Sequence, residues 1–471
     1  MKFSFLLFAV LLPYVVASAV AKSEANTIVV DIDNPKFRKL VVATPNFNIS
    51  PQSDENLKKW GKKAAVDLSK LLEFSGYFRV IDQLAYQGIK TTKDNKLVSG
   101  TIAGFEGYNF LEWKSIGVES LTVGSINKQA DGSYRIELRT ADLNKGERLV
   151  GKAYTVKDLQ DLDMVMKQYV DRVLAAYTGK PGIFSSKIAF IGRKTKNSDK
   201  QVYICDVDGK NLRQVTFTKA LHLAPSWSPD GSKLLFTSYE SGNPDLYMLD
   251  MKTNKVEGLA AYKGLNSGGV FSANGKLVAF SGSIRGNTEI YLKSLQKSSH
   301  RMPLLQGHGI DVDPSFSPDG KWLAFVSGRY GNPHIFRAQL EWNLDKSQVK
   351  VVGDKRLTYA GWYNATPAWS PDSEKIAFAG FDRDIGRFDL FLMNHDGTKL
   401  ERLTIKSGDN ESPSWSPNGQ LIMFHSNRIG DSNHKGRSQL YIMNRDGSSQ
   451  RLISTGLYQA QTPRWGPFLL D

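Results

Sequence analysis

The chain has 471 residues, 41% apolar and 23% charged, the composition of a soluble globular protein with room for two to four domains. Its one cysteine, Cys205, excludes an intramolecular disulfide, so core burial must hold the fold; 41 glycines and 11% aromatics favour short strands and tight turns over long helices. The formal net charge of +14 points to anionic neighbours, but the basic residues form only small clusters such as Lys58-Lys59 and Lys62-Lys63, with no long run marking an arm for nucleic acid.

Lys2 followed by the apolar stretch Phe3 to Leu12, Pro13 and the small residues Ala17-Ser18-Ala19 and Ala19-Val20-Ala21 reads as a secretory signal peptide over 1–21, cleaved after Ala19 or Ala21. The competing reading is an uncleaved membrane anchor; Pro13 and the two small-x-small sites favour cleavage. No later stretch is long and apolar enough to span a bilayer, so the mature chain is expected to be exported and soluble.

Residues 22–177 read as a small α/β domain. Thr27 to Asp31, Lys39 to Ala43 and Phe78 to Ile81 are expected strands. Leu57, Trp60, Ala64, Leu68 and Leu71 have helical spacing over 54–74, with Ser53 as the expected N-cap and Gly76 as the stop. Strands follow at Ser120 to Ile126, Tyr134 to Ala141 and Leu149 to Val156, with a hairpin at Asp131-Gly132. Leu162 to Tyr177 is a last helix with Val165, Tyr169, Val173 and Ala176 on one face. Residues 178–186, beginning Thr178-Gly-Lys-Pro-Gly182, form a linker.

From residue 187 to 471 one unit recurs six times. Its aromatic anchors are Trp227, Phe271, Phe316, Trp369, Trp415 and Trp465, spaced 44, 45, 53, 46 and 50 residues apart. Most sit in a Pro-x-Trp-Ser-Pro-Asp-Gly motif, as at Pro225 to Gly231. An apolar strand such as Leu234-Leu235-Phe236 follows each turn, then a strand such as Asp245-Leu246-Tyr247. Several units continue through an Asp-Gly hairpin (208–209, 396–397, 446–447), where both positions tolerate positive φ. Such periods with four strands per unit predict a six-bladed β-propeller. The first unit, at Ile188-Ala189-Phe190, lacks the Trp-Ser-Pro strand, and the chain ends on one at Trp465. The carboxy-terminal strand therefore closes the ring and removes two edges. Cys205 falls in a buried strand and is no reactive thiol.

The order of leader, small α/β domain, Tyr-Thr-Gly linker and six blades resembles the TolB family of the Tol–Pal envelope system. The resemblance covers nearly the whole mature chain and rests on Thr27-Ile-Val-Val-Asp31, Gly117-Val-Glu-Ser-Leu-Thr-Val-Gly124, Asp131-Gly-Ser-Tyr134 and Thr462-Pro-Arg-Trp-Gly-Pro-Phe-Leu469. Blade two departs with Phe271-Ser-Ala273, and the pI of about 9.4 is high. The resemblance implies a periplasmic scaffold, without cofactor or catalysis. It implies that the propeller docks a Pal-like peptidoglycan-associated lipoprotein at one mouth of its channel. It also implies that the mature amino terminus meets a TolA-like inner-membrane protein, in support of outer-membrane integrity and constriction at division.

Residues just before each motif recur around one end of the channel and are varied and polar, as a partner-reading surface would be: His222, Leu223, Asn266, Ser267, Gly268, Asp311, Asp313, Asn364, Thr366, Asn410, Glu411, Gln461 and Thr462. At the amino terminus, Ala25, Asn26, Thr27, Ile28, Val29, Val30, Asp31 and Asp33 form a segment suited to β-augmentation, or an ordinary edge strand. A propeller hydrolase would need a Gly-x-Ser-x-Gly turn, which is absent. A metal-dependent lactonase would need Asp311, Asp313, Asp409 and Glu411 to converge on calcium. The seven histidines contain no His-x-x-x-His pair for zinc, and Asp206-Val-Asp-Gly209 lacks the twelfth-position Glu of a calcium loop, so it reads as a turn. A module binding cell-wall polymer is a further alternative. A closed ring has no edge demanding a partner, so a monomer is expected.

Overall fold

The computed structural model describes residues 38–468 apart from 51, 87–88, 90–103, 296–300, 344, 346–347, 385 and 429–435. The leader and the whole Ala25 to Asp33 segment lie outside the described residues. No described helix is long and apolar enough to cross a membrane.

The amino-terminal domain runs β1 (Leu40–Ala43), α1 (Glu55–Phe74), β2 (Phe78–Val80), α2 (Phe110–Ser115), β3 (Ser120–Lys128), β4 (Tyr134–Asp142), β5 (Glu147–Val156) and α3 (Leu162–Thr178). The sheet order is β2-β1-β3-β4-β5, with β1 parallel to both neighbours and the rest antiparallel. Asp54, not Ser53, caps α1: its carboxylate accepts from the Leu57 N–H at 2.7 Å. The helix starts one residue later than the cap expected from the sequence, which puts the Asp54 side chain within reach of the exposed N–H groups. Gly76 at φ +87° ends the turn after α1. α2 has no long apolar period and escaped the sequence reading; Asn109 caps it, and Phe110 and Trp113 anchor it.

The propeller consists of six four-stranded antiparallel sheets. Each innermost strand begins just before its aromatic anchor: His222–Trp227, Asn266–Phe271, Asp311–Phe316, Tyr363–Trp369, Asn410–Trp415 and Gln459–Phe468. The last pairs with Ser186–Arg193, so the first blade takes its inner strand from the carboxy-terminal segment. Second strands such as Leu234-Leu235-Phe236 are buried on both faces because each blade lies between two others, which is why they read as continuous apolar runs.

One aromatic pair repeats in every blade, directly across the second and third strands: Phe190–Tyr203, Phe236–Tyr247, Phe280–Tyr291, Phe325–Phe336, Phe378–Phe391 and Phe424–Tyr441. Their ring centroids lie 5.6–6.0 Å apart. Such pairs each add about 0.5–1.5 kcal/mol beyond burial. Neighbouring blades are stitched by indoles: Trp227 donates to the Arg464 carbonyl (3.1 Å), Trp369 to that of Ser315 (3.0 Å) and Trp415 to that of Ala368 (3.1 Å). The Ser of the motif accepts from the strand that follows and bonds to the motif's Asp, as at Ser228, Lys233 and Asp230. The motif is structural.

The Asp-Gly hairpins differ from expectation in one detail. Only Gly209, Gly397 and Gly447 have positive φ, between +83° and +89°. Asp208, Asp396 and Asp446 stay in ordinary conformations because their carboxylates accept from the N–H two residues on, closing an Asx turn.

The two domains share one continuous core, in which α1 and α3 pack with Ile183, Phe184, Leu421 and Leu440. The connecting segment is pinned. Asp171 of α3 accepts from the backbone N–H of Phe184 and Ser185, each at 2.8 Å, and a Cβ on Gly182 would lie 2.1 Å from that carboxylate. Lys167, almost fully buried, contacts Asp163 (2.7 Å), Asp206 (2.6 Å) and Asp208 (3.2 Å), so the Asp206-Val-Asp-Gly209 turn is a docking point for α3. Burial pushes the Cys205 thiol far up, as befits a core residue.

Candidate functional site

Inner strands all start on one face of the ring. The loops arriving from the preceding blade enter there, and second strands end there, as the pairing of His222 with Ser238 shows. On this face the sequence-derived residues separate into two sets, a buried position near the start of each strand and the one or two residues that follow it, up to and including a bulge.

His222, Asn266, Asp311, Asn364 and Asn410 occupy equivalent first positions and are buried, at 0–3% exposure. Their side chains turn into the blade and tether the incoming loop. Asn266 donates to the carbonyls of Tyr262 and Gly264, Asn364 to that of Ala360, and Asn410 to that of Gly408. His222 bonds the Lys200 carbonyl, and Asp311 pairs with Arg329. These five side chains are thus occupied within the fold: a polar group there satisfies loop groups that would otherwise be buried unpaired. Leu223, Ser267, Asp313, Thr366, Glu411, Gln461 and Thr462, with Gly268, are half-buried at the channel.

A β-bulge interrupts every inner strand at the same place. Its first residue has positive φ in all six: Ala224, Gly268, Asp313, Thr366, Ser412 and Thr462, from +48° to +65°. Five of these carry a Cβ, a strained conformation that the surrounding ring enforces six times over. The sequence signal was the residue before each Pro, but proline disfavours only the helical region there and does not announce this one.

Charged groups line the channel within this ring. Asp313 accepts from the Thr366 N–H at 3.4 Å. Burial holds its carboxyl above the usual range, with Thr366 and the positive field of Arg464 opposing. Burial likewise pushes Arg464 down, opposed by Asp313. His425 sits 3.8 Å from Glu411, and burial, with Arg464 and Lys200, lowers it to about 4, so it is neutral near pH 7. Burial and Asp409 raise Glu411. Lys200 donates to Gln461 at 3.1 Å. Arg464 and His425 escaped the sequence reading; the clue at 464 was an Arg where the other blades have Ser, Ala or Val two residues before the motif's second serine or its equivalent. The acidic residues do not assemble into an ion cage. Asp409 is taken by the Phe388 N–H and by Asn427, and among the described residues no three His, Cys, Asp or Glu side chains gather to hold a metal.

Around the mouth, large apolar side chains stand exposed on the loops: Phe217 (76%), Tyr330 (70%) and Tyr359 (71%), with Ile310, Trp362, Tyr363 and Ile405. Arginines lie over several rings, Arg356 on Tyr359 and Arg383 on Trp362. Exposed Tyr and Trp beside Arg on loops of a rigid frame is the composition of a protein-binding surface.

Comparison with known proteins places this architecture. A model of the TolB beta propeller domain matches residues 175–469, and one of the TolB amino-terminal domain matches residues 28–149. The chain belongs to the TolB family. Among relatives, it is 32% identical over 230 residues to the Tol-Pal system protein TolB of Bordetella pertussis, covering 49% of this chain and 52% of that protein. It is 34% identical over 263 residues to that of Desulfosudis oleivorans, covering 56% and 57%. The chain thus spans about half the length of the curated relatives it matches. The crystal structure of TolB from Acinetobacter baumannii superposes with a TM-score of 0.72 at 27% identity, over 91% of this chain and 97% of that one.

Within this TolB-family chain the amino-terminal domain sits on the opposite face from the channel mouth. It touches the turn at Asp208 and the outer strand at Arg451, which donates to the Phe74 carbonyl, while Asn418 donates to the Pro181 carbonyl of the connecting segment. The aromatic loops around the mouth are left uncovered by it.

Proposed function

We propose that this protein is a periplasmic docking scaffold of the Tol–Pal system and not an enzyme. The channel-mouth face holds a Pal-like peptidoglycan-associated lipoprotein, and the segment from Ala25 to Asp33 engages a TolA-like inner-membrane protein. Together the contacts support outer-membrane integrity and constriction at cell division. The observation that carries the reading is the aromatic and arginine-rich loop face, set on a rigid ring opposite the amino-terminal domain. Family membership supports the assignment to the system, and the leader read in the sequence supports the compartment. Leu223, Ser267, Gly268, Asp313, Thr366, Glu411, Gln461 and Thr462 line the entry that a partner would probe, and the five buried tethers keep its loops in place.

The test is calorimetric titration of the mature protein with the soluble domain of its own Pal-like lipoprotein at two salt concentrations. Saturable one-to-one binding, weakened roughly tenfold or more by Tyr359→Ala/Trp362→Ala, supports the reading. Absence of binding at both salts overturns it.

A further inference from the structure

A cleft separate from the channel lies in the amino-terminal domain. In the sheet, β1 has parallel neighbours on both sides. The chain leaves β1 over one face through α1, whose side chains join the core containing Val42, Ile126 and Leu138. It leaves β2 over the other face through α2, which packs on Ala43, Leu121 and Val123. Loops that diverge to opposite faces open a crevice beyond the carboxyl ends of parallel strands, the place where open α/β sheets bind ligands.

A cleft of about 570 Å³ occupies that position, within the range of about 300–1,000 Å³ that small-ligand sites show. Asn46 and Asn48 come from the loop after β1, and Gln83 from the turn after β2. Lys58 and Lys62, one turn apart on α1, form one wall. Tyr86, Tyr108 and Trp113 form another, with Tyr86 and Trp113 centroids 5.0 Å apart. Among the described residues no carboxylate lines the cleft. Lys58 reaches the exposed Glu55 at 2.8 Å, and Lys62 makes no ion pair among the described residues. The indole N–H of Trp113 is buried without a hydrogen-bond partner, an unusual deficit for a native core.

Planar amides offer a donor and an acceptor together, the pattern of vicinal hydroxyls and acetamido groups. Tyr86, Tyr108 and Trp113 are buried and give the cleft an enclosed apolar wall against which one face of a sugar ring can rest, and the two ammonium groups suit a carboxylate. β1, the strand whose carboxyl end opens into the cleft, is paired on both sides and offers no edge to an extended peptide. We propose that this cleft binds a short carboxylate-bearing oligosaccharide, independently of any protein docked on the propeller.

The test uses the full mature chain labelled with 5-fluorotryptophan. Trp113→Phe assigns one of the nine tryptophan resonances, and the probes are the disaccharide of N-acetylglucosamine and N-acetylmuramic acid, and neutral chitobiose. The anionic disaccharide should shift the Trp113 resonance saturably while the propeller tryptophans stay put. Lys58→Gln/Lys62→Gln, both on the helix surface, should weaken that response roughly tenfold, and chitobiose should bind at least that much more weakly. No shift at millimolar disaccharide overturns the proposal, as does an equal response to chitobiose, an unchanged response in the lysine variant, or shifts confined to propeller tryptophans.

Discussion

Trp465 donates its indole N–H to the hydroxyl of Ser186 at 2.8 Å, across 279 residues of sequence. This bond lies inside the blade assembled from both ends of the propeller, where Trp465 also pairs with Ile188 and donates its backbone N–H to the Ser414 hydroxyl of the neighbouring blade. Ring closure therefore depends on one strand whose anchor is 7% exposed.

Trp465→Phe should keep the ring and cost about 1 kcal/mol, the worth of a neutral hydrogen bond. Trp465→Ala should cost about 3–5 kcal/mol, because it empties the blade interface as well. Urea unfolding measures both, and equal losses in the two variants would show that the hydrogen bond and not the packing dominates.

The Lys167 cluster sets how firmly the domains are docked. Lys167→Met strands Asp163, Asp206 and Asp208 without their buried partner and should cost about 3–5 kcal/mol. Burial alone would raise Asp163 and Asp206, but hydrogen bonds from Lys167 with Lys210 or Lys187 bring both below the ordinary value. A depressed carboxyl stabilises above its unfolded pKa of about 3.9, and that contribution is lost as pH falls below it. Thermal melts between pH 5 and pH 3 (about the carboxylate range) should fall more steeply for the natural chain than for Lys167→Met.

His425 gives a second, separate pH window. Its folded value near 4 lies below the unfolded value of about 6.5, so the unfolded chain takes up the proton first as the solution is acidified. Its neutral form stabilises fully above that unfolded value and progressively less as pH falls towards 4. His425→Gln should flatten the stability profile between those limits while leaving the carboxylate region below unchanged. An unaltered profile would mean that the fold leaves the proton affinity of His425 unchanged.

The loop tethers and the loop surfaces should separate in experiment. Asn410→Ala removes bonds to Asp389, Ser407 and Gly408 and the acceptor for Arg428, and should cost about 1–3 kcal/mol of stability. Trp362→Ala, at a 41% exposed ring, should leave the melting midpoint within a degree or so (about 0.5 kcal/mol or less) and act on lipoprotein binding instead. Calorimetry well below the melting midpoint distinguishes the two, and a destabilised Trp362→Ala protein would assign that ring to the fold.

Periodicity carried the architecture. Trp227, Phe271, Phe316, Trp369, Trp415 and Trp465 mark inner strands because each blade must bury the same kind of anchor against the next, and repeated packing demands repeated residues. The strand missing from the first unit and the spare strand in the last make closure legible in the sequence. Inside or outside the blade was a different matter. Asn266 and Ser267 are adjacent and both polar, yet one is fully buried and the other faces the channel, because strand alternation and a bulge set the direction. The field of Arg464 at Asp313, the ring of six positive-φ residues, and the grip of Lys167 on Asp206 join positions that no local pattern links. The sequence by itself determined the repeat, the strand count and the closing strand, all consequences of local periodicity. Only the tertiary structure decided which side chains share the channel, which face stays open and how the domains are locked, because those depend on the direction of side chains brought together from distant parts of the chain.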